Sequence, residues 1–165
     1  MTSPACSSTA IRFVALSLGV LAIGGLVTSL PAAQSHHSVV PADAVKWGAA
    51  PPSLPPGAQA SVLLGSPAQE GPFVLRLKLP VGYVIPPHRH SKDELVTVIA
   101  GQFDVGAGEK LDRAAFQSLP PASFVYLPAG MPHYAMAQSE AVVQINGNGP
   151  FDITYVDPKD DPRKK

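Results

Sequence analysis

The sequence predicts an all-β fold: one compact domain of many short strands, closed as a barrel or a sandwich. Three observations carry this. Beyond the first 57 residues, short apolar runs recur, separated by stretches that mostly carry Gly or Pro. Gly and Pro together supply 33 of the 165 residues, which favours turns over long helices. Hydrophobic residues make up 45% of the chain and charged ones 15%, against about 25% charged in average proteins, so the chain can bury a core.

The N-terminus reads as a targeting segment. Residues 1–35 hold a single charged side chain, Arg12, followed by 18 residues without charge (13–30) and then by Pro31, Ala32, Ala33, Gln34 and Ser35. A positive start, an apolar middle and small residues before a cut are the parts of a signal peptide. Cleavage before His36 or after Ala33 fits, and the product is expected to be periplasmic or secreted. The latter cut would place His36 third from a free amine, an arrangement that chelates Cu²⁺ or Ni²⁺. The alternative is an uncleaved membrane anchor, which Ser17, Gly19, Gly24, Gly25 and Thr28 make too polar to favour. Cys6 precedes the apolar stretch, so the mature domain has no cysteine and no disulfide. All 12 acidic and 11 of the 12 basic residues lie beyond position 35, for a net charge of −1. That balance offers no basic face for nucleic acid and no polycation for a membrane surface.

The elements follow in order. Residues 36–57 are rich in Pro and Ala and read as an extended arm over a sheet, with Trp47 as its packing anchor. A barrel is expected over 58–156. Residues 61–64 form a short apolar run. Residues 73–79 alternate Phe73, Leu75, Leu77 and Leu79 with Val74, Arg76 and Lys78, the period of a half-buried strand. Further strands are expected at 94–100, 124–127, 141–146 and 151–156, and the one short helix at 110–118. The charged tail 157–165 is expected to be frayed.

Three of the five histidines carry the functional reading. His88 and His90, two apart on an extended segment, point to the same side. Glu94 lies four residues on and reaches back after a turn. His133 opens another strand behind a turn marked by Pro128 and Gly130. Three imidazoles and one carboxylate suit a divalent transition metal and leave positions open for water, O₂ or substrate.

At these residues the chain resembles the cupin family. The first cupin motif is met at every spacing by Gly82, His88, His90, Glu94 and Gly101. The second is met by Pro128, Gly130 and His133, while its opening Gly is Ala122 and its closing Asn is Ala137. The layout is similar to small exported single-domain cupins of the type-2 kind. The resemblance implies a single jelly-roll (double-stranded β-helix) barrel, with a metal held by His88, His90, Glu94 and His133, and a homodimer. The metal is left open among Fe, Mn, Ni, Cu and Zn.

Two functions stay open: a metal-dependent enzyme on a small organic substrate, oxygenase ahead of isomerase or lyase, and a non-catalytic module binding metal or a small ligand. No catalytic acid–base pair stands out. Ala135, Ala137, Val96, Val98 and Ala100 are expected to face inward. Gln144 and Asn146 could offer polar contacts or lie on a solvated face. Tyr83, Tyr126 and Tyr134 are expected to pack, and Arg89 and Lys92 flank the ligands.

Overall fold

A computed structural model describes residues 37–165. The expected signal segment, its membrane-anchor alternative, Cys6 and His36 lie outside the described residues.

Eleven strands follow in chain order among the described residues: β1 (Gly48–Ala49), β2 (Gln59–Leu64), β3 (Gly71–Leu79), β4 (Val84–Arg89), β5 (Glu94–Ala100), β6 (Phe103–Ala107), β7 (Gln117–Leu119), β8 (Phe124–Leu127), β9 (His133–Ala137), β10 (Ala141–Gly149) and β11 (Thr154–Tyr155). They form two antiparallel sheets, ordered β1-β2-β3-β10-β5-β8 and β11-β4-β9-β6-β7. Neighbours in each sheet are mostly distant in sequence, as in a jelly roll. The period of two sorts the side chains. Phe73, Leu75, Leu77 and Leu79 on β3 are buried, with Val143 and Ile145 on β10 and Val96 and Val98 on β5. Ile85, Phe103, Val105, Ala135 and Ala137 of the second sheet join them in one core. Burial of that apolar area stabilises the closed barrel.

Several expectations change. The helix expected at 110–118 is a single 3-10 turn, Arg113–Ala115, capped by the Asp112 carboxylate. After Phe116, Gln117–Leu119 form β7, paired with β6. A helix of one or two turns does not recover its nucleation cost, so strand pairing prevails. β6 itself is hidden in the sequence by Asp104 and Gly106, two turn formers. Asp104 is buried because Ser118 Oγ (2.9 Å) and Gln138 Nε2 (2.6 Å) donate to its carboxylate. Gly106 leaves room for the Tyr134 ring, which a Cβ would approach to 2.2 Å. Ala100 is exposed at the end of β5 and does not face inward.

The tail is ordered as well. Arg163 donates through Nε (2.7 Å) and Nη2 (2.9 Å) to the buried Asp161 carboxylate, and through Nη2 to the Ile153 carbonyl at 3.1 Å. The arm is tied to the barrel by two tyrosines. The Tyr83 hydroxyl donates to the Pro55 carbonyl and the Tyr155 hydroxyl to the Ser53 carbonyl at 2.8 Å. Trp47 packs on the sheet exterior, with Lys78 Nζ 5.1 Å from its ring centroid.

Turn chemistry yields a stability prediction. Ala122 stands where the second motif has Gly, and it holds φ +70°, a left-handed conformation that costs a residue with a Cβ about 1–2 kcal/mol. Gly101 holds φ +76°, and a Cβ there would lie 2.1 Å from the Glu140 carbonyl oxygen. Ala122→Gly should raise stability by about 0.5–1 kcal/mol, the strain relieved less the backbone entropy of Gly. Gly101→Ala should cost at least about 2 kcal/mol. Urea unfolding of the two variants checks the opposite signs.

Candidate metal centre

The register of β4 against β9 builds the site. His88 and His133 are directly paired across these strands, and their rings stand 4.2 Å apart. His90 follows β4 by one residue, on the same side as His88, with ring centroids 4.9 Å apart. After the turn through Ser91, Lys92 and Asp93, Glu94 opens β5 on the inner face of the other sheet. All four side chains are buried.

Each imidazole is turned by a carbonyl. His88 Nδ1 donates to Pro86 O at 2.7 Å, His133 Nδ1 to Met131 O at 3.0 Å, and His90 Nδ1 to Asp152 O. A carbonyl only accepts, so in the neutral ring the proton sits on Nδ1 and Nε2 is left as a bare lone pair. The ligand atoms of the three histidines lie within 4.8 Å of one another. Nε2 of His90 and of His133 come within 3.3 and 3.2 Å of Glu94 Oε2, yet neither has hydrogen-bond geometry to any partner. Two buried nitrogens aimed past a carboxylate, with no donor to meet them, fit a bound cation.

The electrostatics agree. Burial, followed by its neighbours His133 and His90, lowers the His88 pKa to about 3, so its imidazole is neutral. Burial pushes the Glu94 carboxyl up, but His133 and His90 outweigh it and hold the group well below the usual carboxylate range. Burial also opposes charge on His90, and Glu94 overcomes it, leaving that ring above its ordinary value. A neutral His88 imidazole beside an ionised Glu94 carboxylate belongs to the donor set a divalent transition metal takes.

The surroundings include residues the sequence gave no sign of. Phe151 stacks on His90 at 4.3 Å with 18° between planes. Asp152 holds His90 by its carbonyl, and its carboxylate accepts from Ser91 N (2.8 Å) and Ser91 Oγ (2.5 Å). Both residues lie about 60 positions beyond His90, and no local spacing links them to it. A cavity of about 240 Å³ reaches His88, His90 and Glu94 between the barrel wall and the arm. A second of about 30 Å³, room for one water, lies deeper against Glu94, His133, Val96 and Ala135.

Other expected contributors lie elsewhere. Gln144 and Asn146 sit on the outer face, where Arg76 Nε donates to Gln144 Oε1 at 3.0 Å and Gln144 Nε2 to Asn146 Oδ1 at 3.2 Å. Tyr126 is exposed, and Tyr134 is buried, its hydroxyl donating to Asp112 O at 3.1 Å. Arg89 pairs with Glu109 at 3.2 Å on the surface, and Lys92 is exposed.

A family model described as the ChrR cupin-like domain matches residues 35–152. Among solved structures, a proposed acetylacetone dioxygenase from Methylibium petroleiphilum PM1 is 21% identical, with a TM-score of 0.62 over 81% of this chain and 90% of the other. The polyketide cyclase RemF from Streptomyces resistomycificus is 16% identical, with a TM-score of 0.59 over 78% and 92%. KdgF from Halomonas sp. is 20% identical, with a TM-score of 0.53 over 69% and 96%. At these identities the likeness is one of fold. The sequence matches no curated protein.

The second carbonyl-and-carboxylate role of Asp152 predicts a measurable effect. Asp152→Ala releases the Ser91 clamp beside His90, and outer partners of this kind are worth about 10- to 100-fold in metal affinity. Co²⁺ affinity by competition with a chromophoric chelator should fall by about tenfold, with the cooperative thermal transition retained.

Proposed function

The chain belongs to the ChrR cupin-like domain family, and from that premise we propose an exported metal-binding cupin that acts on a small organic substrate, with oxygenase chemistry as the leading reaction. His88, His90, His133 and Glu94 would hold one Fe, Mn, Ni, Cu or Zn ion. The single observation that carries the reading is the common orientation of the three imidazoles, each Nδ1 spent on a carbonyl and each Nε2 turned inward.

The protein's own part is positioning and exclusion of water. β4 and β9 fix His88 against His133, and the Asp152 carbonyl fixes His90. Glu94 balances part of the ion's charge. The apolar wall and the arm narrow the approach of bulk water to the buried ligands. A bound ion would supply Lewis acidity and, if redox-active, electron transfer to O₂. One observation favours a second reading, a non-catalytic ligand-binding cupin. Apart from His88, His90 and Glu94, the cavity's polar lining residues are Ser53 and Asp152, and Asp152 is committed to Ser91. Among the described residues that line this cavity, no free acid–base group is set aside for proton transfer.

Export rests on the uncharged stretch 13–30 behind Arg12, and a homodimer on the exposed Ile99, Phe124 and Tyr126 of β5 and β8. An intact Met1 on the purified native protein would overturn the first reading. A monomer in sedimentation equilibrium would overturn the second.

Elemental analysis of the tag-free domain tests the metal. About one equivalent of a transition metal should be present, and a His88→Ala, His133→Ala double variant should lose it. A folded wild type that holds no metal and takes none up on reconstitution would overturn the reading.

A further inference from the structure

The cavity beside the histidines is lined mostly by apolar side chains, with Ser53 and Asp152 as its polar residues besides His88, His90 and Glu94. Glu94, His88 and His90 stand at its floor, and its walls include Leu54, Leu75, Ile85, Ile145, Phe151 and Ile153. Among the described residues that line it, none is Lys or Arg, and the charged groups other than Glu94 reduce to the Asp152 carboxylate. The arginines that might have served are occupied: Arg89 is paired with Glu109 on the surface, and Arg163 is held by Asp161 and the Ile153 carbonyl. A carboxylate or a phosphate on a ligand would find no cation among the residues that line the cavity, only apolar side chains and the like charge of Asp152. An unpaired charge in such a place is strongly disfavoured. A polyol would lose its hydration with few donors or acceptors to replace it.

Size limits the ligand further. The cavity measures about 240 Å³. A cavity of about 150 Å³ holds benzene, so this one accommodates about ten non-hydrogen atoms.

We infer that the site takes a small, largely apolar molecule with an oxygen donor pair at one end and no charge at the other. The inference rests on the proposed metal centre, since the donor pair faces the histidines. It also commits to a class: sugar acids, phosphate esters and dicarboxylates are rejected by the wall, whatever the ion.

Three hydroxypyranones test this, because they share one chelating hydroxyketone and differ at a single ring position. Allomaltol carries a methyl group there, kojic acid an uncharged hydroxymethyl, and comenate a carboxylate. The full mature domain is loaded with Co²⁺, metal content is measured, and each ligand is titrated by calorimetry and by the cobalt absorption bands. The metal-free protein is the control. Allomaltol should bind best, kojic acid about threefold more weakly, and comenate at least tenfold more weakly than kojic acid. Leu54→Lys, which sets a cation on the arm side of the wall, should narrow the gap between comenate and allomaltol. Comenate binding as tightly as allomaltol to the loaded wild type would overturn the inference, as would allomaltol failing to bind it. Kojic acid as weak as comenate would assign the discrimination to size or polarity and would equally overturn the claim about charge. A protein that takes up no Co²⁺ would instead overturn the metal reading on which the inference stands.

Discussion

Three backbone carbonyls determine what this barrel can do. Those of Pro86, Met131 and Asp152 each take the Nδ1 proton of one buried histidine, and in doing so leave three Nε2 lone pairs facing inward. Buried polar atoms without partners are costly in an apolar interior. Nε2 of His90 and His133 stay unpartnered although Glu94 lies within 3.3 Å. The rest of the barrel keeps them in this unfavourable arrangement, and a cation would relieve it.

Rigidity on both sides of the site follows from the same constraint. The β4–β9 register sets His88 opposite His133, and β11 closes over β4 with Tyr155 opposite His88. The segment carrying Phe151 and Asp152 is fastened in turn by Arg163, which bonds the Ile153 carbonyl from the C-terminal tail. Tyr155 and Tyr83 then hold the arm across the cavity mouth. The tail and the arm, far apart in the chain, thus support one histidine and one wall. The buried Asp161 holds the half-exposed Arg163 in place, and the contribution of the pair is geometric.

Much of this could be read from the sequence, for physical reasons. The alternation at 73–79 is a strand because one face is fully buried, and His88 and His90 share a side because a strand repeats every two residues. Glu94 and His133 follow from turns set by Ser91–Asp93 and by Pro128 with Gly130. What stayed hidden depends on distant contacts. β6 looks like a turn until Ser118 and Gln138 satisfy Asp104 and Tyr134 fills the space Gly106 leaves. The helix expected at 110–118 gives way to β7 because β6 offers it a partner. Phe151 and Asp152 carry no motif and reach His90 only through the fold.

The metal site depends on the tautomer of its three imidazoles. Nitrogen-15 chemical shifts and long-range proton–nitrogen couplings of the metal-free domain, recorded at about pH 8 where neutral imidazole prevails, report which ring nitrogen carries the proton. Nδ1–H with a bare Nε2 is expected for His88, His90 and His133 alike. A proton on Nε2, with Nδ1 bare, in any of the three would contradict this, because that ring would then present a donor where a metal would need a lone pair.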